Sequence, residues 1–175
     1  MEIISSVGRV IGWQIIPLIV FLSIASYSDI KSYKIRNWTS GGLAISNSIL
    51  FILIPFIQGD TDFAITSIWG GVAAFMLLFI LAFITLAKMA GDIKLAGAVG
   101  IALGGIGSLT WLFISAVLAA IGALIKVKVT YKTTWLEAMQ SPVLFKGIVG
   151  KLPMAPFFFA GFIVLVLSNL LIGGI

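Results

Sequence analysis

The sequence predicts an all-α, polytopic membrane protein with six transmembrane helices, forming one membrane-embedded domain over residues 1–175. Hydrophobic residues make up 61% of the chain and charged residues 10%, whereas soluble domains average about 45–50% and about 25%. Several uncharged runs are long enough to cross a bilayer. Because lipid-exposed strand edges are not tolerated in hydrocarbon, and because no period-two alternation occurs, these runs should be helices.

The uncharged runs define the helices in chain order. The first three predicted spans are Val10–Ser28, Thr39–Ile57 and Phe63–Ala87. The fourth run, Leu95–Ile125, has 31 residues, which is long for one crossing and short for two. The turn signal at Gly104–Ser108 divides it into helices near 93–104 and 109–125. Leu152–Ile175 is the last span, so the count is six, with five as the alternative.

The basic residues predict the orientation of the spans. With six spans, 10 of the 11 lysines and arginines fall in the first, third and fifth loops, whereas the second loop, 58–62, is acidic. This places the odd loops in the cytoplasm of a cell-membrane protein, with both termini outside. Glu2 offsets Arg9 near the amino terminus, so a cleaved signal peptide is not expected. This topology and the anionic head groups of the bilayer account for the net charge of +5, and no nucleic-acid partner is expected.

The chain contains no histidine and no cysteine. This excludes a Ser-His-Asp triad, a Cys-His pair, an HExxH zinc site, disulfides and thiol nucleophiles. No metal or other cofactor is therefore expected. Catalysis, if there is any, falls to the remaining polar side chains, and only six of these are acidic.

Three of the six acidic residues lie on the predicted cytoplasmic side. Asp29 directly follows the first span and Asp92 directly precedes the fourth, so the two are neighbours if those helices pack together. Glu137 lies in a segment that looks like a short interfacial helix. Asp92 could simply cap its helix. Asp29 opposes the dipole of its own helix and could instead pair with Lys31 or Lys34.

Three short segments carry the remaining information. They are KMAGDIKL at 88–95, SDIKSYKIRN at 28–37 and LPMAPF at 152–157. In this order, and on one side of the membrane, the set resembles the type IV prepilin peptidases, which are intramembrane aspartyl proteases of the GxGD class. The resemblance covers essentially the whole chain. It departs at Met89, where the family has the first glycine of GxGD, and at Arg36, where the family has the proline of Ile-Pro-Asn.

The resemblance implies a two-aspartate mechanism with Asp29 and Asp92 as the catalytic residues. One carboxyl group takes a proton from water and the other donates a proton to the peptide carbonyl. Close carboxylates do not both ionise readily, so the pair shares a proton. The implied partners are prepilin-like or preflagellin-like precursors, cut between a basic leader and a hydrophobic helix. The short first loop and the lack of cysteine imply a short form, without the zinc-binding and methyltransferase part of larger members.

The same motifs suggest supporting residues, some with two open interpretations. Gly91 either lets the backbone approach the scissile peptide or is a simple turn glycine. Lys94 either tunes the charge of the aspartates or binds a lipid phosphate, and Lys31 is equally ambiguous. Asn37 is expected to cap the second helix.

The last motif and the helix contacts give further expectations. Pro153 and Pro156 should set the start of the last helix and, by the family pattern, help to shape the substrate cleft. Glycines at 70, 71, 97 and 100 should let helices pack closely. The tryptophans at 38, 111 and 135 are expected at the membrane interface, and Phe157–Phe159 facing lipid.

Two other functions compete with a peptidase. A catalytically inactive family member acting as a membrane scaffold is favoured by Met89 alone, because methionine does not readily adopt positive φ. A small transporter is less favoured, since such proteins place ionisable groups near mid-membrane and no predicted span contains one. The oligomeric state stays open.

Overall fold

The structure is a computed structural model that describes residues 15–85, 89–131 and 152–173. This part of the chain is helical and contains no strand. Its elements are α1 (Ile15–Ser32), α2 (Asn37–Ile57), α3 (Thr61–Thr85), α4 (Ala90–Tyr131) and α5 (Ala155–Gly173). Within these residues, α1 to α4 are long and apolar enough to cross a membrane, and α5 contributes a shorter apolar stretch, Ala155–Ser168. The all-α membrane class is therefore confirmed, while the count of six crossings stays a prediction.

Helix α1 ends in a left-handed residue. Tyr33 has φ of 51°, and its N–H donates to the Asp29 carbonyl over 2.8 Å, which is a common way to close the last turn of a helix. The helix therefore continues four residues past the predicted end at Ser28. Asp29 lies inside the last turn of α1 rather than after the helix, and the start of the predicted span lies outside the described residues.

Helix α2 begins without a side-chain cap. Arg36 is the extended residue before the helix, and no side chain caps this end. The prediction that Asn37 caps α2 is wrong, since Asn37 is already the first helical residue. A π-helical segment, Ile49–Leu53, interrupts α2 immediately before Pro55. Proline has no N–H for the carbonyl four residues earlier, and apolar helices accommodate this by local π adjustments.

Helices α3 and α4 approach each other through glycine. A side chain added at Gly70 would collide with the carbonyl oxygen of Gly100, and one added at Gly71 would lie 3.3 Å from the carbonyl oxygen of Gly97. Backbones this close leave no room for a Cβ, which is how small residues promote helix packing in membranes. The predicted role of these four glycines is confirmed.

Helix α4 folds back on itself at Gly104. This residue has φ of 70° and ψ of −179°, with helix on both sides. Gly91 packs against Ile35, and Lys126 Nζ lies 5.9 Å from the centroid of the Tyr33 ring. A straight helix would separate residues 91 and 126 by about 52 Å, so both ends can reach the 33–35 segment only if two arms, 90–103 and 105–131, run in opposite directions. The predicted division is found at one residue rather than over the whole of Gly104–Ser108, because positive φ at a single glycine suffices.

Aromatic residues join the second arm of α4 to α5. Trp111 is fully buried, and its Nε1 donates to the Phe158 carbonyl over 2.9 Å. The predictions of an interfacial Trp111 and a lipid-facing Phe158 are therefore wrong, because both side chains form the contact between these helices. Trp38 is 54% exposed, as expected of an interfacial anchor, and Trp135 lies outside the described residues.

The glycine contact predicts opposite effects of two Gly→Ala changes. At Gly100, the added methyl would lie 2.8 Å from the Ala74 Cβ and collide with the Gly70 backbone, whereas at Gly105 it would meet nothing within 4 Å. We expect Gly100→Ala to lower the free energy of unfolding by about 1–3 kcal/mol. Gly105→Ala should be neutral or stabilising by up to about 1 kcal/mol. Thermal unfolding in detergent micelles, followed by circular dichroism, measures both, and equal melting temperatures would contradict the contact.

Candidate active site

Asp29 is a buried carboxylate that binds the start of another helix. Its side chain is 6% exposed, and its Oδ2 accepts a hydrogen bond from the Ala155 N–H over 2.9 Å. The first N–H groups of a helix have no partner within it, and negative charge there is favourable. The start of α5 therefore supplies Asp29 with a hydrogen-bond donor, which the carboxyl-terminal end of α1 does not offer.

The proline motif explains why α5 begins beside Asp29. Pro153 lies just before the helix and Pro156 at its second position, where the missing N–H costs nothing. The Met154 carbonyl accepts the Phe157 N–H over 3.0 Å and also the Phe158 N–H. The prolines thus lie at the start of the last helix as predicted; the shape of a substrate cleft is not tested.

Ser26 strengthens the contact between α1 and α5. It is buried one turn before Asp29, and its Oγ lies 2.7 Å from the Leu22 carbonyl oxygen and 3.1 Å from that of Ala155. Ala155 is fully buried against α1. Both the N–H and the carbonyl of Ala155 are therefore bound by polar side chains of α1.

Asp92 lies in the first turn of α4, not before it as predicted. The helix begins at Ala90, and the Met89 carbonyl accepts the Ile93 N–H over 3.0 Å. Asp92 is half-buried, and its carboxylate is close enough to that of Asp29 for the two charges to repel when both groups are ionised. Within the described residues, no hydrogen bond to the Asp92 carboxylate is present. The hydrogen bond from Ala155 belongs to Asp29, and the pairing of the two aspartates as a catalytic site stays a prediction.

Gly91 permits a close approach rather than an unusual backbone. It lies inside α4, and positive φ among the described glycines occurs only at Gly59 and Gly104. A Cβ at Gly91 would be 3.1 Å from the Ile35 Cβ. The glycine therefore lets α4 pack tightly against the segment that joins α1 to α2.

The basic residues of the motifs do not converge on the aspartates. Lys94 is exposed, and its Nζ donates to Asn37 Oδ1 over 3.3 Å. Lys31 is also exposed, with Nζ 5.9 Å from the centroid of the Tyr27 ring on the same helix. In the part of the chain that the structure describes, neither forms a salt bridge with Asp29. The alternative that Asp29 pairs with a lysine is replaced by its bond to α5.

Some residues singled out from the sequence lie outside the described part of the chain. Other residues that form hydrogen bonds in the structure were not predicted from the sequence. Glu137 and Lys88 lie outside the described residues. The described residues contain no cluster of three or more His, Cys, Asp or Glu side chains that could hold a metal ion. The partners missed were the Ala155 N–H and Ser26, together with Asn47, which is fully buried and donates to the Ala98 carbonyl over 2.8 Å. Polar residues within apolar runs were the available signal for Ser26 and Asn47; a backbone N–H leaves none.

Comparison with known proteins decides the family. A model of the type IV leader peptidase family matches residues 16–124, a range that contains both aspartates. The chain belongs to the type IV leader peptidase family. No curated protein and no solved structure matches it. Membership supports a membrane-bound leader peptidase in general terms, and because the match ends before Pro153, the importance of that motif rests on its contacts with α1.

The bond between Asp29 and α5 predicts how this position tolerates substitution. Asp29→Ala leaves the buried Ala155 N–H without an acceptor and should lower the free energy of unfolding by about 1–3 kcal/mol. Asp29→Asn keeps an oxygen acceptor and should lose less. Asp92→Ala removes no hydrogen bond within the described residues and is the matched control. Chemical denaturation in micelles compares the three, and equal losses for both alanine variants would contradict the capping role.

Proposed function

We propose that this protein is an intramembrane aspartyl endopeptidase that removes the basic leader of prepilin-like or preflagellin-like precursors, with Asp29 and Asp92 as its catalytic pair. The observation that carries the proposal is the electrostatic interaction between these two carboxylates. Asp29 lies in the last turn of α1 and Asp92 in the first turn of α4. Family membership supplies the reaction class, and the paired carboxylates supply the chemistry that it requires.

The contacts favour different roles for the two aspartates. Asp29 accepts the Ala155 N–H at the start of α5, where hydrogen bonding and the helix dipole stabilise a negative charge. Asp92 has no equivalent donor among the described residues and lies beside that charge. We therefore assign the ionised role to Asp29 and the shared proton to Asp92.

These roles define the order of proton transfers. Asp29 takes a proton from a water molecule as the water oxygen attacks the peptide carbonyl carbon, and Asp92 gives its proton to the carbonyl oxygen. When the C–N bond of the tetrahedral intermediate breaks, the proton on Asp29 passes to the leaving amine and a hydroxyl proton returns to Asp92. The pair ends in its starting protonation state, and no cofactor takes part.

The membrane location suits the proposed substrate. The precursor's hydrophobic helix would lie in the bilayer beside the apolar helices of the enzyme. The junction between its leader and this helix would then meet the catalytic pair. Lys31, Lys34, Arg36 and Lys94 lie near this end. By the positive-inside rule this end faces the cytoplasm, with six crossings and both termini outside.

Asp→Asn variants test the catalytic pair. On co-expression with a prepilin-like precursor, cleavage by the wild type should appear as a size shift on a gel. Asp29→Asn and Asp92→Asn should each lower the cleavage rate by at least about 10²-fold, because each loses a proton-transfer group. Asp62→Asn, at an exposed acid in the first turn of α3, is the matched control and should cleave normally. Full cleavage by either dyad variant would remove that residue from the mechanism.

The alternative is an inactive family member that acts as a scaffold. Its support is Met89, which replaces the first GxGD glycine and packs, half-buried, against the core. If the wild type cleaves none of several precursors while Met89→Gly cleaves one, the methionine has silenced the site. Failure of both proteins would favour the scaffold outright.

The connection between α1 and α2 predicts an absence of methyltransferase activity. Only residues 33–36 separate these helices, so no inserted domain lies between them, and the chain has no cysteine for zinc. Incubation with mature pilin and a methyl donor should yield no methylated amino terminus by mass spectrometry. A bifunctional family member run in parallel is the positive control, and a methylated product with this protein would overturn the assignment as a peptidase alone.

A further inference from the structure

A second site lies on the outside of the helix bundle. An open groove of about 590 Å³ runs between α2, α3 and the first arm of α4. Its walls are mainly small and apolar, and they include Gly41, Gly71, Phe75 and Gly97. Asn37, Ser40 and Lys94 are its polar lining residues, and Lys94 carries the charge. The groove thus combines apolar walls with one cationic side chain, that of Lys94.

The groove is on the opposite side of α4 from the catalytic pair. Positions 94, 97, 98 and 101 all line it, and their spacing places them on one face of the helix. Asp92 is two residues from Lys94, which is about 160° around the helix axis. A peptide held at the aspartates would therefore lie on the other face of α4.

Lys94 supplies the charge that selects the occupant. Its side chain is exposed, and its recorded hydrogen-bond partner is a neutral amide oxygen, Asn37 Oδ1. No carboxylate of the described residues forms a salt bridge with Lys94. Asn37 is the first residue of α2 and Lys94 is the fifth residue of α4, so both lie near the starts of apolar helices. The ends of membrane-spanning helices are where lipid head groups meet the hydrocarbon. An uncompensated cation above an apolar channel is complementary to an anionic lipid.

We propose that this groove binds one anionic phospholipid, with an acyl chain along Gly41, Ala44 and Val72 and the phosphate at Lys94 Nζ and Asn37 Nδ2. Gly41 keeps part of this groove open, since a Cβ there would meet nothing within 4 Å and a larger side chain would enter the free space.

Lipid retention measured by native mass spectrometry tests the site. The delipidated protein is incubated in detergent with equal amounts of dioleoyl-phosphatidylglycerol and dioleoyl-phosphatidylcholine. The wild type should retain one phosphatidylglycerol in preference to phosphatidylcholine. Lys94→Gln should lower that preference about fivefold, the typical effect of one basic residue at a lipid surface. Lys34→Gln, at an exposed lysine that does not line the groove, is the charge control and should lower the preference much less than Lys94→Gln.

A second pair of variants tests the channel itself. A Cβ at Gly41 or at Gly105 would meet nothing within 4 Å, so a leucine side chain begins in open space at both positions. Gly41→Leu should fill the groove and abolish retention of either lipid at this site, whereas Gly105→Leu, outside the groove, should not. The melting temperature of each variant, measured without added lipid, confirms that it is folded.

The outcomes separate lipid from other occupants. Equal retention of the two lipids by the wild type, or full phosphatidylglycerol retention by folded Gly41→Leu, would overturn the proposal. So would a Gly41→Leu protein that keeps its lipid but no longer cleaves a precursor, since the groove would then take the precursor helix. Because lipid retention requires no cleavage, failure of the proposed peptidase function would leave this result interpretable.

Discussion

The need to satisfy backbone polar groups away from water is the constraint on which this structure depends. In hydrocarbon an unpaired N–H or C=O costs several kcal/mol, so a chain can cross only as helix and can leave the helix only where a substitute partner exists. The interruptions described here obey this rule. A π-helical segment precedes Pro55 in α2, Gly104 turns α4 back with one non-helical residue, and the start of α5 is bound by Asp29.

The bond between Asp29 and the start of α5 links the fold to the chemistry. A buried carboxylate needs donors and a buried helix start needs an acceptor, and Asp29 with Ala155 satisfies both needs in one bond. The position of this carboxylate therefore depends on α5, the last helix described. The same bond makes the two aspartates unequal, since Asp92 lies beside Asp29 without an equivalent donor in the described residues.

Two faces of helix α4 carry different functional groups. Asp92 and Lys94 are neighbours in the sequence but lie on nearly opposite faces of the helix. One face brings the carboxylate to α1, and the other places the lysine beside Asn37 at the mouth of the apolar groove. The two interpretations of Lys94 that the sequence left open are thus unequal, because its Nζ binds Asn37 beside the groove and forms no salt bridge with either aspartate in the described residues.

The sequence by itself determined the membrane class, the main helices and the family, because apolar runs and short motifs are local features. It could also predict the glycine packing, since small residues in apolar helices have few other uses. The sequence predicted the helix ends less accurately. Asp29 and Asp92 each lie inside a helix rather than beside it. Only the tertiary structure decided that Ala155 binds Asp29, that Asn37 binds Lys94 and that Trp111 is buried. Each of these depends on residues distant in the chain, and a backbone N–H that becomes a partner by folding carries no signature in the sequence.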